Sequence, residues 1–124
     1  MTDNGTQAAT VLIVEDNEDV ATSLQMLLEL SGYAVLVSRS GRQGIALAQT
    51  ESPAAILLDL GLPDMSGHDV LRELRASPDT RPIRIIALTG TDLDETELPT
   101  GESFDHHLLK PPDVDELLRL LPHG

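Results

Sequence analysis

The sequence has no cysteine and no tryptophan, and it contains one tyrosine and one phenylalanine in 124 residues. Without thiols there is no disulfide framework and no thiolate metal site, so cysteine usage leaves the redox compartment undetermined. With aromatics at 2%, a core has to be aliphatic, and a hydrophobic fraction of 40%, largely Leu, Val, Ile and Ala, is ample for one. Positive charge is scarce too: eight Lys+Arg against 21 Asp+Glu give a formal charge of −13. A nucleic-acid surface is therefore not expected, because neutralising phosphates takes clustered cations. Attraction to an anionic membrane is excluded on the same ground. No apolar run approaches the roughly 18–20 residues of a membrane span. The opening MTDNGTQAAT lacks the basic-then-apolar layout of a secretory signal. A soluble cytoplasmic domain is the expectation, and a charged fraction of 23% argues against disorder.

What is present is an alternation. Residues 1–9 are polar and aperiodic and read as a disordered tail. Short apolar runs then appear at 11–14, 34–37, 54–58, 83–88 and, more weakly, 104–109. Runs without polar alternation fit strands buried on both faces. Between them lie segments of helical spacing. Val20, Leu24, Leu27, Leu28 and Ser31 form one stripe, stopped by Gly32. Ser40 is placed to cap a second helix running to about Gln49, and Ser66 a third that ends before Pro78. Asp113 and Glu116 form a capping pair ahead of Val114, Leu117, Leu118 and Leu121. Met26, at helical spacing, is assigned to the core. Met65 and Pro63 fall in the loop after Asp59. Five strands alternating with helices imply parallel βαβ units and an open, doubly wound α/β sandwich.

In such sheets ligands sit beyond the carboxyl ends of the strands. The first strand delivers Glu15 and Asp16 to that edge, the third Asp59, the fourth Thr89 and the fifth Lys110. Two carboxylates about 4 Å apart repel by roughly 4 kcal/mol at an effective dielectric of about 20. A hard divalent cation relieves that repulsion, and Mg²⁺ favours carboxylates, a carbonyl, waters and a phosphate oxygen in octahedral array. Asp59 is then able to attack a phosphoryl group and form an aspartyl phosphate. The cation, Lys110 and Thr89 would stabilise charge on the transferring oxygens. No Gly-rich phosphate loop occurs, so a bound nucleotide is not implied. Lys110 is the only lysine, and every other fixed cation is arginine. The adjacent His106 and His107 do not make a metal site, since neighbours in a strand point to opposite faces. One ring is expected inward, as a switch or packing group, and the other covered by a helix.

These residues carry a family resemblance. Over residues 10–122 the chain resembles the receiver domain of two-component response regulators. The matching segments are VLIVEDN (11–17), ILLDLGLPDMSG (56–67), ALTG (87–90) and HLLKPPD (107–113), in the family's order and spacing. The resemblance implies a flavodoxin-like three-layer sandwich with strand order 2-1-3-4-5. It implies that Asp59 accepts a phosphoryl group from a histidine kinase or histidine-phosphotransfer protein. Glu15, Asp16, Asp59 and the backbone carbonyl of Gly61 would coordinate Mg²⁺ (or Mn²⁺). Lys110 would contact the phosphoryl oxygens, Thr89 would swing toward them on activation, and Pro111 would follow a cis bond. A monomer or weak dimer is expected.

Three positions depart from the family pattern. The aromatic switch position, three residues before the lysine, holds His107. The acidic segment 92–105, interrupted by Pro99 and Gly101, leaves the family's helix between the fourth and fifth strands short, displaced or absent. Gly61, two residues past Asp59, has no side chain to shield a phosphoryl group from water. The segment FDHHLLKP resembles receivers attached to hybrid sensor kinases, so both a stand-alone regulator and part of a longer kinase fit the sequence. Two other functions also fit parts of the pattern. One is an interaction module that works without phosphorylation. The other is a Mg²⁺-dependent phosphohydrolase, disfavoured because the chain has no room for a cap and Asp64 sits in a loop.

Overall fold

The structure, a computed structural model, describes residues 9–89, 104–109 and 112–121. The chain alternates strand and helix through three full units: β1 (Thr10–Val14), α1 (Glu18–Leu30), β2 (Ala34–Ser38), α2 (Gly41–Glu51), β3 (Ala55–Asp59) and α3 (Gly67–Ala76). β4 (Arg84–Thr89), β5 (His106–Leu109) and α4 (Val114–Leu120) complete the described elements. All strand pairs are parallel, in the order β2-β1-β3-β4-β5, with Leu12 opposite Ile56 and Leu58 opposite Ala87. This is the doubly wound, flavodoxin-like sandwich the sequence implies.

The apolar runs do not alternate because both sheet faces are covered. Leu12, Val14, Ile56, Leu58, Ile85 and Ala87 pack with residues of α2 and α3. Val11, Ile13, Leu57, Ile86, Leu88 and Leu108 pack with Ala21, Leu24 and Leu28 of α1 and Leu117 of α4. Each fully buried aliphatic side chain contributes about 1.5–3 kcal/mol by leaving water, and these two layers hold the carboxyl ends of the strands in place.

The helix ends follow side-chain chemistry. Ser40 accepts from the Gln43 amide and Ser66 from the Asp69 amide, at the two predicted starts. Asn17 caps α1 by accepting from the Val20 amide. Gly32, at φ +99°, gives α1 the left-handed exit that glycine tolerates best. Asp113 caps α4 by accepting from the Asp115 amide rather than from that of Glu116, so the cap closes one residue earlier than the expected pair.

Several boundaries and one assignment are corrected. Ala9, placed in the tail, already accepts from the Ala34 amide, and residues 1–8 lie outside the described residues. β3 and β4 each begin one residue later than expected. Ile83 is excluded from β4 because its amide turns back to the Thr80 carbonyl. β5 starts at His106, not Phe104: the Asp105 carboxylate takes the Ile85 amide at 2.7 Å in place of a strand partner. Met26 is not core. It is 58% exposed, because at 100° per residue it lies across the helix from Leu24 and Leu28. The acidic segment falls mainly in 90–103, outside the described residues.

Candidate functional site

β1 and β3 lie side by side at the centre of the sheet, and each ends in an acid or delivers one just past its end. The Glu15 amide donates to the Ser38 carbonyl at 2.9 Å, extending the sheet's pairing one residue beyond β1. That bond holds Glu15 in the interior, where it is fully buried, and leaves Asp16 half-buried at the rim. Asn17, the cap of α1, donates its amide to Glu15 Oε2 at 3.1 Å. One tripeptide thus ends the strand, supplies two acids and starts the helix.

Asp59 is the last residue of β3, in register with Leu88 of β4, and it is 7% exposed. Carboxylate oxygens of Glu15, Asp16 and Asp59 all lie within 4.8 Å of one another. Three acids this close, two of them buried, form an all-oxygen donor set. Such a set fits a hard divalent cation and is a poor match for soft metals. The Gly61 amide donates to Asp59 Oδ1 at 3.3 Å, which ties the backbone of the following loop to the acid itself. Around Gly61 no described heavy atom comes within 4 Å of where a Cβ would stand.

The neck of that loop is narrow. Gly67 donates its amide to the Leu60 carbonyl at 3.0 Å. A Cβ on Gly67 would meet Leu60 Cα at 2.8 Å and the Asp59 carbonyl oxygen at 3.0 Å. Only glycine allows α3 to begin this close to the end of β3.

Thr89 ends β4 and is 5% exposed. Its hydroxyl donates to the Leu108 carbonyl of β5 through a long, weak contact of 3.5 Å. His107, opposite Ala87 in the β4–β5 register, is half-buried, as is His106. The His107 ring meets Phe104 edge-on at 5.4 Å, and Phe104 meets His68 of α3 at 5.8 Å. Lys110 and Pro111 lie outside the described residues, and β5 ends at Leu109, immediately before them.

The structure thus gathers Glu15, Asp16 and Asp59, ties Gly61 to Asp59, and sets Thr89 at the end of the strand beside Asp59. Asp64, by sequence only a residue of the loop after Asp59, turns out to be bonded at a distance. Its carboxylate accepts from the backbone amides of Gly41 at 2.8 Å and Arg42 at 3.0 Å. The amide bonds from Arg42 and Gly41 hold its carboxyl below the usual value of 3.8. Because those partners lie more than twenty positions away in the chain, no local pattern announces them.

Comparison with known proteins agrees with this geometry. The model of the response regulator receiver domain family matches residues 11–121. The cell cycle transcriptional regulator CtrA of Caulobacter vibrioides is 37% identical over 109 residues, covering 87% of this chain and 46% of that regulator. The chain therefore spans about half the length of the curated relatives it matches. Among solved structures, the receiver domain of a sensor histidine kinase from Pseudomonas aeruginosa is 33% identical. It superposes with a TM-score of 0.83 over 91% of this chain and 93% of that one, and holds a magnesium ion in its active site cleft. The receiver domain of a signal transduction histidine kinase from Syntrophus aciditrophicus is 31% identical, with a TM-score of 0.82 over 92% and 90% of the two chains.

Proposed function

Because this chain belongs to the response regulator receiver domain family, we propose that it is the phosphoacceptor of a two-component phosphorelay and that Asp59 carries the phosphoryl group. The observation behind this reading is the approach of Glu15, Asp16 and Asp59 oxygens to within 4.8 Å at the carboxyl ends of adjacent strands. Those three acids and the backbone carbonyl of Gly61 would hold Mg²⁺ (or Mn²⁺). Bound there, the cation would offset the charge on the phosphoryl oxygens.

In this reading the chain's own groups carry the transfer. An Asp59 carboxylate oxygen attacks the phosphorus of a phosphohistidine on a kinase or phosphotransfer protein. A P–O bond forms as the P–N bond breaks, and the bonding electron pair leaves on the imidazole nitrogen. Lys110 contacts the phosphoryl oxygens as a compact point charge. The Thr89 hydroxyl exchanges its weak bond to the Leu108 carbonyl for one to a phosphoryl oxygen. His107, packed on Phe104, reads that change at the β4–β5 edge. The result is a two-state bias of the surface presented to partners. The domain spans residues 10–122, works in the cytoplasm as a monomer or weak dimer, and assists its own phosphorylation and dephosphorylation. Any kinase activity belongs to a partner or a separate domain. With a formal charge of −13, these residues offer no surface for nucleic acid.

Intact-mass measurement after incubation with a small phosphodonor and Mg²⁺ tests the reading. The protein gains one phosphoryl group and Asp59→Asn gains none. An equal gain in Asp59→Asn, or no gain in the unaltered protein, rejects it.

A further inference from the structure

The loop of residues 60–66 carries Gly61, whose amide donates to Asp59 Oδ1. A loop with a glycine at this point and no helix or strand of its own needs something to hold it still. At its neck, Gly67 and Leu60 share a backbone bond. At its tip, Asp64 reaches across to α2.

The first amides of a helix have no partner within it. Ser40, the cap of α2, takes only the Gln43 amide. Asp64 takes the two before it, one on each carboxylate oxygen: Gly41 on Oδ1 at 2.8 Å and Arg42 on Oδ2 at 3.0 Å. The negative charge also lies at the positive end of the helix dipole. Next to it, Met65 Cγ stands 2.5 Å from where a Cβ on Gly41 would be, so only glycine leaves Met65 its seat. Arg42 in turn forks onto Glu73 of α3 at 3.2 and 3.3 Å. The loop is thus fixed to α2 through Asp64, and α2 to α3 through Arg42.

We propose that Asp64 is a positioning residue for the phosphoacceptor site: by clamping the loop tip to the start of α2, it fixes the Gly61 backbone against Asp59. The clamp acts through the loop and does not touch the reacting atoms. Its link to cation binding rests on the function proposed above. Its structural part, the immobility of Gly61, does not.

The test uses the full chain in two states. In metal-free protein, amide hydrogen exchange at Gly61, Gly41 and Arg42 is followed by NMR, and the Mg²⁺ dissociation constant is then measured by titration. Asp64→Ala should speed exchange at all three amides and weaken Mg²⁺ binding by about tenfold, the scale seen when support behind a metal ligand is removed. Asp64→Asn keeps an acceptor for one of the two amides and sets an NH2 donor against the other, so it should fall between the unaltered protein and Asp64→Ala or match the latter. Asp64 is exposed and outside both packed layers, so these variants keep the fold. Asp69→Ala removes another exposed carboxylate, one bonded to Arg72 within α3, and should leave Gly61 unchanged. The proposal is overturned if Gly61 exchange in Asp64→Ala stays within about twofold of the unaltered protein, a difference under about 0.5 kcal/mol. It is equally overturned if Asp69→Ala moves Gly61 as far, or if Asp64→Asn leaves exchange at both Gly41 and Arg42 as slow as in the unaltered protein. Failure of Asp59 to take up a phosphoryl group would defeat the functional reading and leave the exchange result to decide the clamp.

Discussion

The rim of the sheet has two unlike halves. Where β1 and β3 end, the backbone is central and sealed: Val11–Ile13 and Ala55–Leu58 are fully buried, and Asp59 is 7% exposed. The end of β4 is still buried, with Thr89 5% exposed, but on β5, the edge strand, burial falls away: His106 and His107 are half-buried and Leu109 is 52% exposed. The first half collects like charges, which repel unless their geometry is imposed from outside. The second holds a weakly bonded hydroxyl and an imidazole ring, the two groups proposed above to respond to phosphorylation. The acids lie toward the centre of the sheet, the hydroxyl on its last fully covered strand and the imidazole on its half-buried edge.

The strongest way to break this contrast is to shorten one leucine in each half. Leu57→Ala, at the centre of β3, should cost about 3–4 kcal/mol by urea denaturation, in the range for buried leucines. Leu109→Ala, at the end of β5, should cost about 0.5 kcal/mol or less. Similar losses at both sites would mean that the two halves are packed alike.

A smaller effect concerns how open the binding half is to water. Among the described residues nothing crowds a side chain at Gly61, so Gly61→Asn should fold normally and partly cover the phosphoryl group. Loss of phosphoryl from Asp59 should slow by roughly tenfold, about 1.4 kcal/mol of barrier. This is readable as the decay of the phosphorylated mass once the donor is removed. An unchanged or faster decay would show that water reaches the group from another side.

The smallest effect is a pH dependence outside the rim. Asp64 is held below its ordinary value of 3.8 by the Arg42 and Gly41 amides, and Asp69 chiefly by the Arg72 guanidinium. A folded value below the unfolded one adds stability at pH above 3.8, and that stability is lost as pH falls through the lowered values. These two groups therefore leave the melting temperature flat across neutral pH and lower it only in acid. Asp64→Asn should remove part of that acid-side decline. A change near neutral pH traceable to Asp64 would contradict the assignment.

The contrast also marks what was legible in the sequence. Buried strands announce themselves as unbroken apolar runs, so β1 and β3 and the acids following or ending them could be placed from Val11–Asp16 and Ile56–Asp59. Ser40 and Ser66 are local signals, each bonded three residues ahead, and both starts were found. Met26 misled because hydrophobicity at roughly helical spacing does not say which side of α1 faces the sheet; the stripe through Leu24 and Leu28 does. β5 was placed too early because Phe104 extends the apolar run: it is buried as core, but ahead of the strand, which begins at His106. Asp64 escaped entirely, its partners being distant in sequence and purely backbone.

Asp105 has a further consequence. One of its oxygens takes both the Ile85 amide at 2.7 Å and the Arg75 guanidinium at 2.9 Å, and the same Arg75 grips the Arg81 and Ile83 carbonyls. The fifth strand is riveted at its beginning, in the manner of a lever with a fixed fulcrum. Any tilt of that strand is smallest beside Ile85 and greatest where Leu109 faces Thr89, so a slight tug at the threonine is paid out as travel on the outer edge of the molecule.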